Sequence, residues 1–138
     1  MDSPLLQSNA DVAFLALCLW REARGETHEC KVALAWSIMN RVAAKQWGNT
    51  IMSVIFQRLQ YSSLTYKGDP QLVLWPQDSD ASWQTCLKVA DETLEGLNIN
   101  PIDGADSYHD ISISPPDWAK KSVFVKQLGR IKFYKVGT

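Results

Sequence analysis

Two glutamates fall within the segment Trp20-Arg21-Glu22-Ala23-Arg24-Gly25-Glu26, where an oily run meets four charges and a glycine. From Asp11 to Trp20 nearly every residue is apolar (Val12, Ala13, Phe14, Leu15, Ala16, Leu17, Cys18, Leu19), which reads as a helix buried on most sides. Leu15, Leu19 and Glu22 are spaced i, i+4, i+7. If the helix runs through position 22, Glu22 continues its apolar face and Arg21 points elsewhere. A carboxyl group set against Leu and Trp side chains is poorly solvated, so its charged form is disfavoured and its pKa rises. Such a group can donate a proton near neutrality, as the general acid of a glycoside-cleaving site does. The competing reading is an ordinary helix-end acid, solvated or neutralised by the nearby Arg21 and Arg24.

Other side chains able to bind or to do chemistry are scattered. Between Gln57 and Pro76 the periodicity is lost, and a stretch of this length without regular structure is often functional. It holds Gln60, Tyr61, Ser62 and Ser63, an amide, hydroxyls and an aromatic face of the kind that bind sugars; the alternative is a plain polar loop. Asn40 and Arg41 come near a helix end and could face solvent or a cleft. His109 could orient sugar or acid, or make a structural hydrogen bond, and His28 reads as surface. The cysteines, Cys18, Cys30 and Cys86, are odd in number and form no C-x-x-C pair. That argues against a disulfide framework and against a zinc site, so reduced thiols are expected, and no metal or cofactor.

The elements that must position these groups follow from patterning. The 138 residues suit one domain, and 14 basic against 15 acidic side chains create no overall field toward nucleic acid or an anionic surface. Residues 1–10 form a polar arm in which Ser8, Asn9 or Asp11 could cap the first helix. They lack the pattern of a secretory signal, and the apolar run after them is too short to span a membrane. A soluble chain made in a cytoplasm, reaching any outside target only after release, is therefore expected.

Thr27 is placed to cap a second helix, with Val32, Ala35, Trp36, Met39, Val42 and Ala43 as its buried stripe. Asn49 or Thr50 would cap a short third helix through Ile51, Val54 and Ile55. Asp78 and Ser79 begin a fourth, on which Trp83, Cys86, Leu87, Ala90, Leu94 and Leu97 share a face and which Gly96 closes. The stretch from Ser122 to Val136 alternates around Leu128-Gly129-Arg130, a β-hairpin signal. The expected class is α+β, mainly helical, with three or four helices and a small C-terminal sheet.

In this order the motifs resemble the cell wall hydrolase family of the spore cortex-lytic enzyme SleB. They run from Trp20-Arg21-Glu22-Ala23-Arg24-Gly25-Glu26 through Val32-Ala33, Asn40-Arg41-Val42, Gln60-Tyr61-Ser62, Gly104-Ala105, Tyr108-His109 and Pro115-Pro116-Asp117-Trp118-Ala119 to Gly129 and Phe133-Tyr134, nearly the whole chain. The resemblance implies a lysozyme-like fold. It also implies cleavage of bacterial peptidoglycan between N-acetylmuramic acid and N-acetylglucosamine by a lytic transglycosylase mechanism. One Glu would protonate the leaving oxygen, and the muramic acid 6-hydroxyl would close on the anomeric carbon to give a 1,6-anhydro product. Glu22 matches the catalytic acid and Glu26 the second acid of the motif. Tyr61-Ser62 matches a position usually written Phe-Ser, and Gln60, Tyr61, Ser62, Tyr108 and His109 become the substrate-binding candidates.

A bare catalytic domain of this kind suggests a phage endolysin, acting as a monomer on peptidoglycan, with no nucleic acid partner and no membrane insertion. The alternatives are a muramidase that uses water and a non-catalytic wall-binding module. A helix-turn-helix DNA binder fits poorly, since the would-be recognition helix has only Lys31 and Arg41 as bases.

Overall fold

The computed structural model describes residues 4–57 and 61–137. Its elements, in chain order, are α1 (Pro4–Ala23), α2 (His28–Ala44), α3 (Ile51–Ile55), α4 (Ser62–Thr65), α5 (Ala81–Leu94), β1 (Ser107–Asp110), β2 (Phe124–Leu128) and β3 (Ile131–Tyr134). One-turn 3-10 helices cover Pro70–Val73 and Lys121–Val123. The expected α+β class with helix dominating is what forms.

Several boundaries differ from the sequence expectation, each for a local reason. The first helix begins at Pro4, so the expected arm is largely helical and Ser8, Asn9 and Asp11 lie inside α1 rather than capping it. Proline suits a first helical position because its fixed φ is already helical and its missing N–H would have had no partner there. Thr27 does cap α2, accepting from the Cys30 N–H, and Thr50 caps α3 in a reciprocal box with Ser53. The cap of α5 is Asp80, not Asp78 or Ser79: one carboxylate oxygen accepts from the Ser82 and Trp83 N–H groups. Its other oxygen accepts from Trp20 Nε1 at 3.1 Å, which ties the start of α5 to the end of α1.

Helix α5 closes as a Schellman turn. Gly96, at φ +71°, donates to the Thr93 carbonyl and Leu97 to that of Glu92. Leu97 consequently lies beyond the helix and is exposed, not on its buried face. The expected stripe of α2 faces the core at Val32, Ala35, Trp36, Met39 and Val42, but the buried face is wider, taking in Leu34, Ser37, Ile38 and Arg41 as well, and Ala43 is exposed. The central segment expected to be irregular contains α4 and the Pro70–Val73 turn, whose cap Asp69 accepts from the Gln71 N–H.

Helix α1 packs against α5, α2 and α3, and α2 packs against α5 and α3. Leu15, Leu19, Leu34, Ile38, Val54, Ile55 and Val89 fill the space between them. The sheet has the order β1-β3-β2, all antiparallel, with β2 and β3 joined through Gly129 at φ +57°. Residues paired across antiparallel strands point to the same side. Tyr108, Phe133, Ile131 and Leu128 thus share one face, and it packs on Cys30 and Ala33 of α2 with Ile102 and Ala105. His109, Lys132, Tyr134 and Gln127 share the other. Against that outer face lies the turn carrying Trp118, whose ring meets those of His109 and Tyr134.

Candidate active site

Glu22 stands in the last turn of α1, one residue before the helix ends at Ala23. The Tyr108 hydroxyl, on β1, donates a 2.6 Å hydrogen bond to Glu22 Oε1 across 86 residues of sequence. Burial pushes the Glu22 carboxyl above its ordinary range, against the opposing pull of the Tyr108 and Ser63 hydroxyls, and nearby Asp69 adds to the rise. Ser63 Oγ is fully buried and makes no hydrogen bond of good geometry, yet lies close enough to favour the charged carboxyl. The Tyr108 phenol is itself driven up, first by burial and then by the Glu22 charge.

These groups open into a cleft of about 620 Å³ between the helices and the edge of the sheet. Tyr61, Arg41 and Trp47 line it on the helical side, and Tyr108, His109, Asp110 and Trp118 on the sheet side. A sugar-sized groove with aromatic walls and a few fixed polar groups is the form expected of a small-ligand site.

The arginines do not neutralise the acids. Arg21 is buried and donates to the carbonyls of Leu74 and Ser63, each at 3.1 Å, with its guanidinium over Trp75. Arg24 donates to the Trp20 carbonyl and to Gln71 Oε1 and stacks over Trp20. Both arginines therefore brace the central segment against α1.

The end of α2 has a comparable task. Asn40 Nδ2 donates to the carbonyls of Asp103 and Ala105, at 2.8 and 2.7 Å. Arg41 Nε donates to the Asp106 carbonyl and Nη2 to Ser107 Oγ, while its guanidinium lies between the rings of Trp47 and Tyr61. The Asp106 carboxylate accepts in turn from the N–H groups of Val136 and Gly137. Asn40 and Arg41, undecided from sequence, thus fasten the segment that delivers Tyr108 to Glu22.

The remaining candidates are distributed as follows. Tyr61 forms a wall of the cleft, with its hydroxyl buried and without a hydrogen-bond partner. Ser62 begins α4, and Gln60 lies outside the described residues. Glu26 does not line the cleft with Glu22. Its N–H turns back to the Ala23 carbonyl, and its carboxylate reaches the hairpin turn, where a Cβ on Gly129 would sit 3.1 Å from Oε2. His109 lines the cleft and is also fully tied. Nδ1 is 2.9 Å from the Asp110 carbonyl, which can only accept, so Nδ1 donates there, and Nε2 is 3.0 Å from the Tyr134 hydroxyl. The stacked Tyr134 ring completes its seat.

Trp47 and Asp110 were not singled out from sequence; Ser63 was, as one of four neighbouring groups able to bind a sugar, and Trp118 only as part of the Pro115-Pro116-Asp117-Trp118-Ala119 motif. Which of two adjacent serines turns inward depends on a one-turn helix with no periodic signal. Trp118 had one, an aromatic held in a proline-rich turn. Among the described residues, no cluster of His, Cys, Asp or Glu could hold a metal ion, and no helix is long and apolar enough to cross a membrane.

A sequence model of the Cell Wall Hydrolase family matches residues 25–134. The chain belongs to the cell wall hydrolase family. Among curated relatives, the spore cortex-lytic enzyme of Bacillus subtilis (strain 168) is 29% identical over 126 residues, which are 89% of this chain and 37% of that protein. The spore cortex-lytic enzyme of Oceanobacillus iheyensis is 28% identical over 93% of this chain and 42% of its own length. The chain thus spans about two fifths of these relatives.

Among solved structures, the catalytic domain of the germination-specific lytic transglycosylase SleB from Bacillus anthracis superposes with a TM-score of 0.71 at 26% identity. That match covers 91% of this chain and 93% of the domain. The catalytic domain of the Bacillus cereus SleB protein gives 0.74 at 26% identity, covering 92% and 91%. Helical layers with a three-stranded sheet are accordingly a fold this chain shares with both domains. Glu22 lies three residues before the span matched by the family model, so its role rests on the geometry of the cleft.

Proposed function

We propose that this chain cleaves the glycan strands of bacterial peptidoglycan between N-acetylmuramic acid and N-acetylglucosamine, as a lytic transglycosylase with Glu22 as the acid and then the base. The observation that carries this reading is the Glu22 carboxyl, driven toward its neutral form by burial and held at Oε1 by Tyr108 in the wall of a sugar-sized cleft. Protonated at Oε2, Glu22 gives its proton to the bridging oxygen as the bond to the anomeric carbon breaks. The 6-hydroxyl of the same N-acetylmuramic acid then bonds to that carbon and returns its proton to Glu22. One glycosidic bond is exchanged for another, the internal acetal between the 6-oxygen and the anomeric carbon, and no water is consumed. Because the nucleophile is already part of the substrate, a single carboxyl suffices. The Bacillus anthracis SleB structure, described as that of a lytic transglycosylase, supports the same reading by similarity.

One observation favours a second reading, hydrolysis by water. Asp110 also lines the cleft, and its carboxyl is held below the usual range, chiefly by the Ser112 N–H and also by Arg130. An ionised carboxylate opposite a protonated one is the arrangement hydrolysing glycosidases use. We favour the single-acid reading because Asp110 is already engaged by both partners.

Mass analysis of the fragments released from purified peptidoglycan separates the two, since an anhydro end is one water lighter than a reducing end. Glu22→Gln is expected to lower fragment release by roughly 10²–10⁴-fold without loss of fold. Asp110→Asn is expected to leave the anhydro product in place. Full activity in the Glu22 variant would remove that residue from the mechanism, and reducing ends lost with Asp110→Asn would establish hydrolysis.

A further inference from the structure

On the far side of the turn that walls the cleft lies a second cavity, of about 540 Å³. Pro116 and Trp118 of this turn face the cleft, while Pro115 and Ala119 face the second cavity, so the two share one wall. The register builds its floor. Gln127 pairs with Lys132 and Phe124 with Tyr134, which puts all four on the outer face of the sheet beside His109. Lys121 closes the rim.

The chemistry of this cavity differs from that of the cleft. Its lining carries two ammonium groups and no carboxylate. Neither lysine is taken by the ion pairs of the described residues, which join Lys126 to Glu29 and Arg130 to Asp110. Gln127 spends its Nε2 on the Gly129 carbonyl at 3.0 Å, leaving Oε1 free to accept from an N–H. Phe124 is 43% exposed and, with Pro115, offers apolar surface for aliphatic side chains.

Resting on the reading above, we infer that this outer-sheet cavity binds the acidic peptide carried by the glycan strand, with Lys121 and Lys132 meeting its carboxylates. In peptidoglycan the peptide branches from the N-acetylmuramic acid, the sugar whose anomeric carbon reacts, and it carries free carboxylates and backbone N–H groups. A sugar seated against Trp118 therefore presents its branch to the neighbouring cavity. A wall phosphate polymer would also be drawn to two lysines, but a phosphodiester has no N–H for Gln127 and no aliphatic side chain for Phe124. The cavity thus sorts strands by what hangs from them, and the cleft cuts them.

The test is a binding measurement on the full chain carrying Glu22→Gln, so that the glycan stays intact. Three strand preparations are compared: one with peptides and no phosphate polymer, one stripped of both, and one with phosphate polymer alone. The peptide-bearing strand is expected to bind roughly five- to tenfold more tightly than the stripped one. Adding Lys121→Glu with Lys132→Glu should erase that difference and leave binding to the stripped strand unchanged, with thermal unfolding as the check on folding. Lys121→Arg with Lys132→Arg should retain it. Equal binding of the first two strands, a preference that survives charge reversal, or tightest binding of the phosphate-bearing strand would each overturn the inference. Binding is read apart from cleavage: a chain with glutamate at position 22 that releases no fragments removes the enzymatic reading, whatever the binding series shows.

Discussion

Tyr108 and burial act on Glu22 in opposite directions, and the balance between them sets the pH at which the proposed acid works. Burial favours the neutral carboxyl, whereas the phenol hydrogen bond favours the anion. Since the protonated form begins the reaction, activity is present below the raised pKa of Glu22 and is lost as pH rises through it. Tyr108→Phe removes an interaction that favours the anion, so the carboxyl keeps its proton to higher pH. The alkaline limb of the rate profile is expected to move upward, while the rate at the acid plateau drops by roughly ten- to a hundredfold as the carboxyl loses its orientation. Initial rates of fragment release across the pH range check both. A profile that falls in height without moving would make Tyr108 a packing residue only. Glu22 was legible in the sequence because it continues the spacing of Leu15 and Leu19. Glu26 was not, because its place depends on the helix ending at Ala23, and Tyr108 was reached only through the family resemblance, since no local pattern links residues 86 apart.

Helix α2 ends where the chain must later bring β1 to α1, and Asn40 makes that junction. Its amide satisfies two loop carbonyls, those of Asp103 and Ala105, beside Asp103 at φ +49°. Asn40→Ala takes the donor from the buried Ala105 carbonyl and leaves the exposed Asp103 carbonyl with Asn100 Nδ2 alone, so a loss of about 1 kcal/mol is expected, read as a lower urea midpoint. Cleavage should slow as well, because the loosened segment carries Tyr108; unchanged stability with slower cleavage would place Asn40 in substrate contact instead. Elements with strong periodicity or a clear cap, α2, α5 and the hairpin, were legible. The start of α1 was not, because Ser8, Asn9 and Asp11 resemble caps yet lie inside the helix behind Pro4. Nor was α4, where four residues carry too little pattern to separate a single turn from a loop and the buried Arg21 supplies a tertiary anchor at the Ser63 carbonyl.

Helical core and sheet core meet along α2, and whether they open together can be read from the three thiols. Cys18 and Cys86 belong to the helical cluster, and Cys30 to the cluster beneath the sheet. Trp36 and Tyr108 pack against both clusters, so separating the sheet from α2 would strip apolar surface from the helical layer too. All three thiols are fully buried. Burial is the leading cause that pushes Cys30 up to about 12 and Cys86 up to about 11, and it raises Cys18 as well, so the reactive thiolate is scarce as long as the fold holds. A thiol reagent is therefore expected to leave the native chain unlabelled at neutral pH and, as urea is added, to label all three positions in one phase that coincides with global unfolding. Mass mapping of partly labelled chains decides between this and the alternative. Cys30 modified ahead of Cys18 and Cys86 would mean that the sheet detaches by itself, carrying Tyr108 away from Glu22 while the helices stay folded. Equal labelling at every urea concentration would mean that the carboxyl and its hydroxyl partner are held together by the stability of both cores at once.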